Sequence, residues 1–263
     1  MNIIIKKVRL VAAPLPPFVG TRIAIRTTDT QRTFGFTNLV LGDGHANVTV
    51  DWGDGKVETF ASISKVTHDY AATGEYEVRI SDDLKSLSVS ASMSGSPFYD
   101  EYPKLVERVH SNAQSLTKTG LSFLARCTNL TSVDLGDSAI AAFQVHTFAF
   151  CESLTAYRLP KGLTSLGTQM FRACPRLTSV NLPEGITDLT SMSFRDCTAL
   201  SGDIALPFVS NITTDETNAP FVGCPNITAF HFAAQNESAI RASEGFRTDP
   251  TLGTGSAVCV FDL

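Results

Sequence analysis

Apolar residues return at fixed positions through the second half of the chain. Residues 151 to 200 hold two copies of one 23-residue unit, followed by the start of a third. Each unit opens on a cysteine, Cys151 or Cys174. Leu154 or Leu177 comes three residues later, Tyr157 or Val180 at six, Leu159 or Leu182 at eight and Pro160 or Pro183 at nine. Leu163 or Ile186, Leu166 or Leu189, and Phe171 or Phe194 complete the set. A fixed period of this length predicts stacked coils, because one coil cannot bury its apolar side alone. The pattern extends upstream through Cys127, Leu130, Val133, Leu135 and Phe148. Downstream, Cys197, Leu200, Ile204, Leu206 and Phe221 continue it, and Cys224, Ile227, Phe230 and Phe232 open another copy. A degenerate first coil is expected from about Pro103 through Val106, Val109, Leu116 and Leu124.

Within a unit, Val180 and Leu182 alternate with Ser179 and Asn181, the period of a half-buried strand. Pro183 ends it, since proline cannot donate to a ladder. Ser193 to Cys197 reads as a short helical or 3₁₀ turn with Phe194 and Cys197 facing inward. The phenylalanines at 148, 171, 194 and 221 are expected to form one internal column. The cysteines at 127, 151, 174, 197 and 224 share one position and form no C-x-x-C pair, so they read as buried thiols filling a small slot. An occasional disulfide between stacked neighbours stays open.

These residues resemble the BspA-like bacterial leucine-rich repeats, over about 103–246. The resemblance implies a right-handed β/α superhelix and a surface-exposed or secreted binding protein. Fold alone does not fix function.

The period changes upstream. Ile23 and Ile25 alternate with Arg22, Ala24 and Arg26, and Phe34 and Phe36 flank Gly35. Val48-Thr49-Val50-Asp51-Trp52-Gly53-Asp54-Gly55-Lys56 holds a tight hairpin signal at Asp54-Gly55. Val66-Thr67-His68-Asp69-Tyr70 and Gly74-Glu75-Tyr76-Glu77-Val78-Arg79-Ile80 follow. Short alternating strands at this spacing predict a β-sandwich. The motifs W-G-D-G, H-x-Y and G-x-Y-x-V-x-I are similar to those of the polycystic-kidney-disease-type immunoglobulin-like domain, which is commonly a spacer or binding module. The fold expected is therefore mainly β, with an N-terminal arm at 1–17, a sandwich at 18–95 and a leucine-rich-repeat solenoid with a C-terminal cap strand at 96–263. The small polar stretch Ser90 to Pro97 marks the boundary, and Ala257 to Phe261 the terminal strand.

Composition narrows the function. The chain has 263 residues, 43% of them apolar and 18% charged, which fits globular folding. A net charge of −5 offers no basic surplus for nucleic acid. No apolar run reaches the ~20 residues that span a bilayer. Residues 1–17 place Lys6, Lys7 and Arg9 inside an apolar stretch, unlike a signal peptide, and read as a β-prone arm able to join subunits. Asp43, Asp51 and Asp54 do not match a calcium loop, so they read as turn residues. His68 and Trp52 read as packed positions. His45, His68, His110, His146 and His231 are scattered, no catalytic motif is present, and pairs such as Asp82-Asp83 and Asp100-Glu101 read as solvated. No cofactor, metal or catalytic residue is expected.

The function expected is recognition of a host or surface protein or a glycan, at the cell surface or after secretion. The alternative is a structural component of a surface appendage or phage-like particle. Side-chain alternation sends Ser132 and Asp134, Ala156 and Arg158, Ser179 and Asn181, and Ala229 and His231 outward. Asp203 and Ala205 do the same in the shifted coil. The candidate ligand contacts are Asp134, Arg158, Asn181, His231, Ser132 and Ser179, set in a two-column ladder across the strands.

Overall fold

The computed structural model describes residues 18–36, 38–61, 65–89, 103–212, 218–243, 246 and 251–263. The arm at 1–17 and the boundary stretch Ser90 to Pro97 lie outside the described residues. The chain is mainly β, and its second half winds into a solenoid of about six turns.

The alternating segments upstream become β1 (Gly20–Thr27), β2 (Thr33–Phe36), β3 (Asn38–Leu41), β4 (Val48–Asp51), β5 (Val57–Phe60), β6 (Val66–Asp69), β7 (Gly74–Ser81) and β8 (Leu84–Ser88). β1, β4, β5 and β7 pair antiparallel, as do β2 with β6 and β3 with β8. Ile23, Ile25, Val48, Val50, Val78 and Ile80 are all buried, the inward half of each alternation. Trp52 is fully buried and stacks on His68, with ring centroids 4.8 Å apart, and on Phe36 at 5.6 Å. Tyr70 Oη donates to the Trp52 carbonyl at 2.9 Å. His68 Nε2 bonds Asp54 Oδ2 at 2.8 Å. Asp51 accepts the Gly53 amide and Asp54 the Lys56 amide. The three quoted motifs thus meet in one cluster, and the two aspartates hold the turn.

The coils supply β9 (Val106–Ser111), β10 (Lys118–Thr119), β11 (Ser132–Asp134), β12 (Ala156–Arg158), β13 (Asp188–Leu189), β14 (Ser201–Leu206), β15 (Asn211–Ile212), β16 (Asn226–Phe232) and β17 (Val258–Phe261). A short helix, α1 (Glu237–Ala242), precedes β17. β9, β11 and β12 pair in parallel, as do β14, β16 and β17. β9 also pairs antiparallel with β1. One seven-stranded sheet, in the order β12-β11-β9-β1-β7-β4-β5, therefore runs from the first coils into the upstream strands.

Repeat positions fall as their chemistry demands. Phe148, Phe171, Phe194 and Phe221 are fully buried and stack face to face, with centroids 5.2–5.3 Å apart and planes within 21°. The five repeat cysteines are buried and carry no disulfide. Each thiol from Cys151 onward donates to a carbonyl of the preceding coil, of Leu124, Phe148, Phe171 and Phe194 in turn, at 3.1–3.2 Å.

The segment Ser193 to Cys197 makes turns with 3₁₀-type bonds but not a continuous helix. Amides there alternate in direction. Ser193, Arg195 and Cys197 donate within the coil to Thr190, Met192 and Phe194, whereas Met192, Phe194 and Asp196 donate to Asn218, Pro220 and Val222 of the next coil. The same alternation recurs one coil earlier over Gln169 to Ala173. A helix would direct every amide inside its own segment. Sending alternate amides across requires a left-handed residue at both ends of the run. Ser122 and Arg126, His146 and Phe150, Gln169 and Ala173, and Met192 and Asp196 all have φ of 52–62°. That conformation is unfavourable for these residue types, and the bonds to the next coil offset it.

Candidate functional site

The outward residues of the first coils form a closed ion cluster. Val133 is buried, and its neighbours Ser132 and Asp134 face outward. β11 pairs with β12 so that Ser132 lies opposite Ala156 and Asp134 opposite Arg158. Arg158 Nε and Nη2 donate to both oxygens of Asp134, at 2.7 and 3.1 Å. Its Nη1 and Nη2 donate to Asp137 at 3.2 and 2.6 Å. Four of its N–H groups are thereby used, a bidentate geometry particular to arginine. His110 Nδ1 lies 3.5 Å from Asp134. Burial acts to raise the Asp134 carboxyl, but the Arg158 hydrogen bonds and the Gly136 amide hold it below the ordinary aspartate range. The Arg158 hydrogen bond lowers Asp137 in the same way. Gly136 makes the arrangement fit, since a Cβ there would lie 2.4 Å from the guanidinium.

A second cluster sits on the later strands. His231 on β16 bonds Asp262 through Nδ1 at 2.8 Å and approaches Asp203 through Nε2 at 3.5 Å. Thr228 Oγ1 donates to Asp203 at 2.6 Å. The Asp262 hydrogen bond raises His231 above its ordinary value. Asp203 and Ala205 point outward, and Ala205 lies opposite His231.

Between the clusters the ladder is interrupted. Ser179 and Asn181 are exposed, but residues 178–183 form no strand. Tyr157 is the cause. It stands where neighbouring coils carry Val133 and Val180, and its ring reaches Phe171, 4.6 Å between centroids. Its hydroxyl then accepts the Asn181 amide at 2.8 Å, the donor that a strand ladder would use. Asn181 Nδ2 turns to Ser179 Oγ at 3.1 Å. The structure thus joins Ser132, Asp134 and Arg158 in one array and leaves Ser179 with Asn181 in the gap. His231 belongs to a second array, so the expected continuous ladder is two arrays.

The first array continues where the repeat pattern gives no sign of it. β9 sets Arg108 opposite Ser132 and His110 opposite Asp134. β1 then sets Ala24 opposite Arg108 and Arg22 opposite His110. β7 adds Glu77 and Arg79. A basin of about 360 Å³ opens on this face, lined by Arg22, Ala24, Glu77, Arg108, Ser132 and Asp134 among others. Among the described residues no group of three or more His, Cys, Asp or Glu side chains is placed to hold a metal.

Residues 117–243 match the model of the BspA type leucine-rich repeat region in six copies. This segment is a BspA-type leucine-rich repeat region. The BspA-type coils begin at β10 by this match, so the strand β9 that joins them to the upstream sheet precedes the matched residues. Three solved structures are similar to the chain. A leucine-rich repeat protein from T. pallidum is 15% identical, with 57% of this chain and 64% of that one covered and a TM-score of 0.39. One from Bacteroides ovatus is 22% identical, with 60% and 40% covered and a TM-score of 0.42. A leucine-rich cell surface protein from Faecalibacterium prausnitzii is 17% identical, with 59% and 48% covered and a TM-score of 0.40. The chain thus spans less than two thirds of the length of each. No curated protein matches it. No helix among the described residues is long and apolar enough to cross a membrane.

Proposed function

We propose that the chain is a non-catalytic binding protein of the cell surface or secreted space. It recognises a protein or glycan through the outward face of its strands. The observation that carries this reading is the face running from β7 to β12. Asp134, Asp137 and Arg158, and Glu77 with Arg79, hold one another in fixed geometry there, while Ala24, Ser132 and Ala156 keep the backbone approachable. Rigid, preorganised polar groups on strands suit recognition, because little freedom is lost on binding. Residues 18–95 act as a polycystic-kidney-disease-type domain that spaces or orients the repeats. Ser179, Asn181 and His231 extend the contact surface toward the later coils.

The test is capture of ligands from a glycan array and from host matrix proteins. The variant Arg158→Ala with Asn181→Ala should weaken capture at least tenfold, about 1.4 kcal/mol, with thermal unfolding of the fold retained. If capture holds in that variant and is lost on removal of residues 1–17, the face is a spacer. The structural-component reading then takes its place.

A further inference from the structure

We propose that the basin between Arg22 and Arg108 binds a carboxylated saccharide, a sugar ring bearing one carboxylate, as in uronic or sialic acids. This deepens the strand-face reading above and rests on it.

The argument starts from charge pairing across the sheet. One row of outward residues runs Arg79, Arg22, His110, Asp134, Arg158, and the adjacent row runs Glu77, Ala24, Arg108, Ser132, Ala156. The acidic members of these rows already have cations. Asp134 is held by Arg158, and Glu77 by Arg79 at 2.8 Å. Arg22 and Arg108 differ: among the described residues neither has a carboxylate within ion-pair distance. The Arg22 guanidinium lies over the Phe18 ring at 5.3 Å, and its Nε is buried without an acceptor. Arg126 and Arg172 also bury an unpartnered Nε, but they pack together over Phe150 and do not line this basin.

Geometry brings the two unpaired cations to one place. Arg22 and Arg108 are diagonal neighbours on adjacent antiparallel strands, a separation of roughly 7–8 Å that long side chains span. Ala24, directly opposite Arg108, leaves the space between them open. Two guanidiniums without counter-charge around an open floor attract an anion. The rest of the lining selects which anion. Ser132 offers a hydroxyl, and Glu77 and Asp134 offer carboxylate oxygens with further acceptor capacity. Those carboxylates repel a doubly charged phosphate, yet they accept hydrogen bonds from sugar hydroxyls. The volume lies at the small end of ligand pockets, about 300–1,000 Å³, and suits one or two sugar units.

Calorimetric titration of the full chain tests this. The probes are tetragalacturonate and sialyllactose, which separate the two sources of a sugar carboxylate, beside lactose, a sulfated disaccharide and inorganic phosphate. At least one carboxylated probe should bind, and lactose should bind at least tenfold more weakly. Arg108→Gln, an exposed change that spares folding, should remove that preference, while Lys56→Gln on the distant hairpin should not. No binding of either carboxylated probe at millimolar concentration overturns the proposal. So does tighter binding of the sulfated sugar or phosphate, or an unchanged preference in Arg108→Gln. The wider reading fails separately. If the carboxylated sugar misses the basin but Arg158→Ala with Asn181→Ala still weakens capture, the face binds elsewhere. If the sugar binds through Arg108 and that double variant captures normally, the basin stands without the wider face.

Discussion

Replacing Phe171 with alanine removes the centre of the aromatic column. Its ring has no exposed surface and touches three others: Phe148 at 5.2 Å, Phe194 at 5.3 Å and Tyr157 at 4.6 Å. Truncating a fully buried phenylalanine costs about 3–5 kcal/mol. Each aromatic pair adds about 0.5–1.5 kcal/mol beyond burial, so the upper part of that range is expected. Phe171→Leu separates the contributions. It keeps an apolar side chain in the slot and loses the ring pairs, so its cost should be smaller, about 1.5–3 kcal/mol. Urea unfolding followed by circular dichroism reads both, with the slope checked because repeat arrays can lose cooperativity. The same experiment on Phe171→Ala with Phe148→Ala should show a coupling of at least about 0.5 kcal/mol. A loss below about 1 kcal/mol for Phe171→Ala would refute the argument, since the ring would not then support the stack.

Native thiol titration should find at most one fast-reacting cysteine, the half-buried Cys259. Burial pushes the Cys127 thiol up, and Cys224 up to about 12, while unfolding should release all six. The His231 contacts with Asp262 and Asp203 should stabilise the β16–β17 end while the imidazole is protonated. Because folding raises His231, this contribution is full below its unfolded value of about 6.5 and is lost as pH rises through the folded value. His231→Gln should flatten melting temperature against pH in that window. Gly136→Ala should displace the Arg158 guanidinium with little loss of stability, seen as a changed Arg158 side-chain resonance, and an unchanged resonance would contradict the fit described. A fragment starting at residue 103 lacks β1, and its β9 amides should exchange faster than in the full chain; equal protection would make the repeats independent of the upstream strands.

The interior of the coils was legible because one period places one chemistry at one depth. A fixed 23-residue step puts Phe148, Phe171 and Phe194 in register, and the cysteines follow for the same reason. Outward alternation also predicted which side of β11 and β14 faces solvent; on β16 a register shift leaves Thr228 exposed and the expected outward residue Ala229 buried. Three features escaped this logic. The run Ser193 to Cys197 carries inward residues three apart, as a helix does, but nothing in side-chain spacing reports which way its amides point. Tyr157 occupies an ordinary apolar position, and only its length and hydroxyl let it take the Asn181 amide and part the ladder. The join of β1 to β9 links segments more than 80 residues apart that differ in period. Its only trace is a shared alternation, Arg22-Ile23-Ala24-Ile25 beside Arg108-Val109-His110, that does not name a partner.

The alternating amides give the solenoid a direction. Along these runs every crossing amide bond goes from a donor in one coil to an acceptor in the next, so on this side each coil has a donor face and an acceptor face. At the front, the acceptor face of the first turn is met by upstream residues: Val89 N–H donates to Phe123 O, and Ser88 Oγ to Leu121 O. Because this amide pattern recurs from junction to junction, a duplicated unit such as 151–173 presents along these runs the face its neighbours already expect. Reach is then set by copy number, while the front attachment stays fixed. Such a chain can lengthen or shorten its surface by whole coils without redesigning either end.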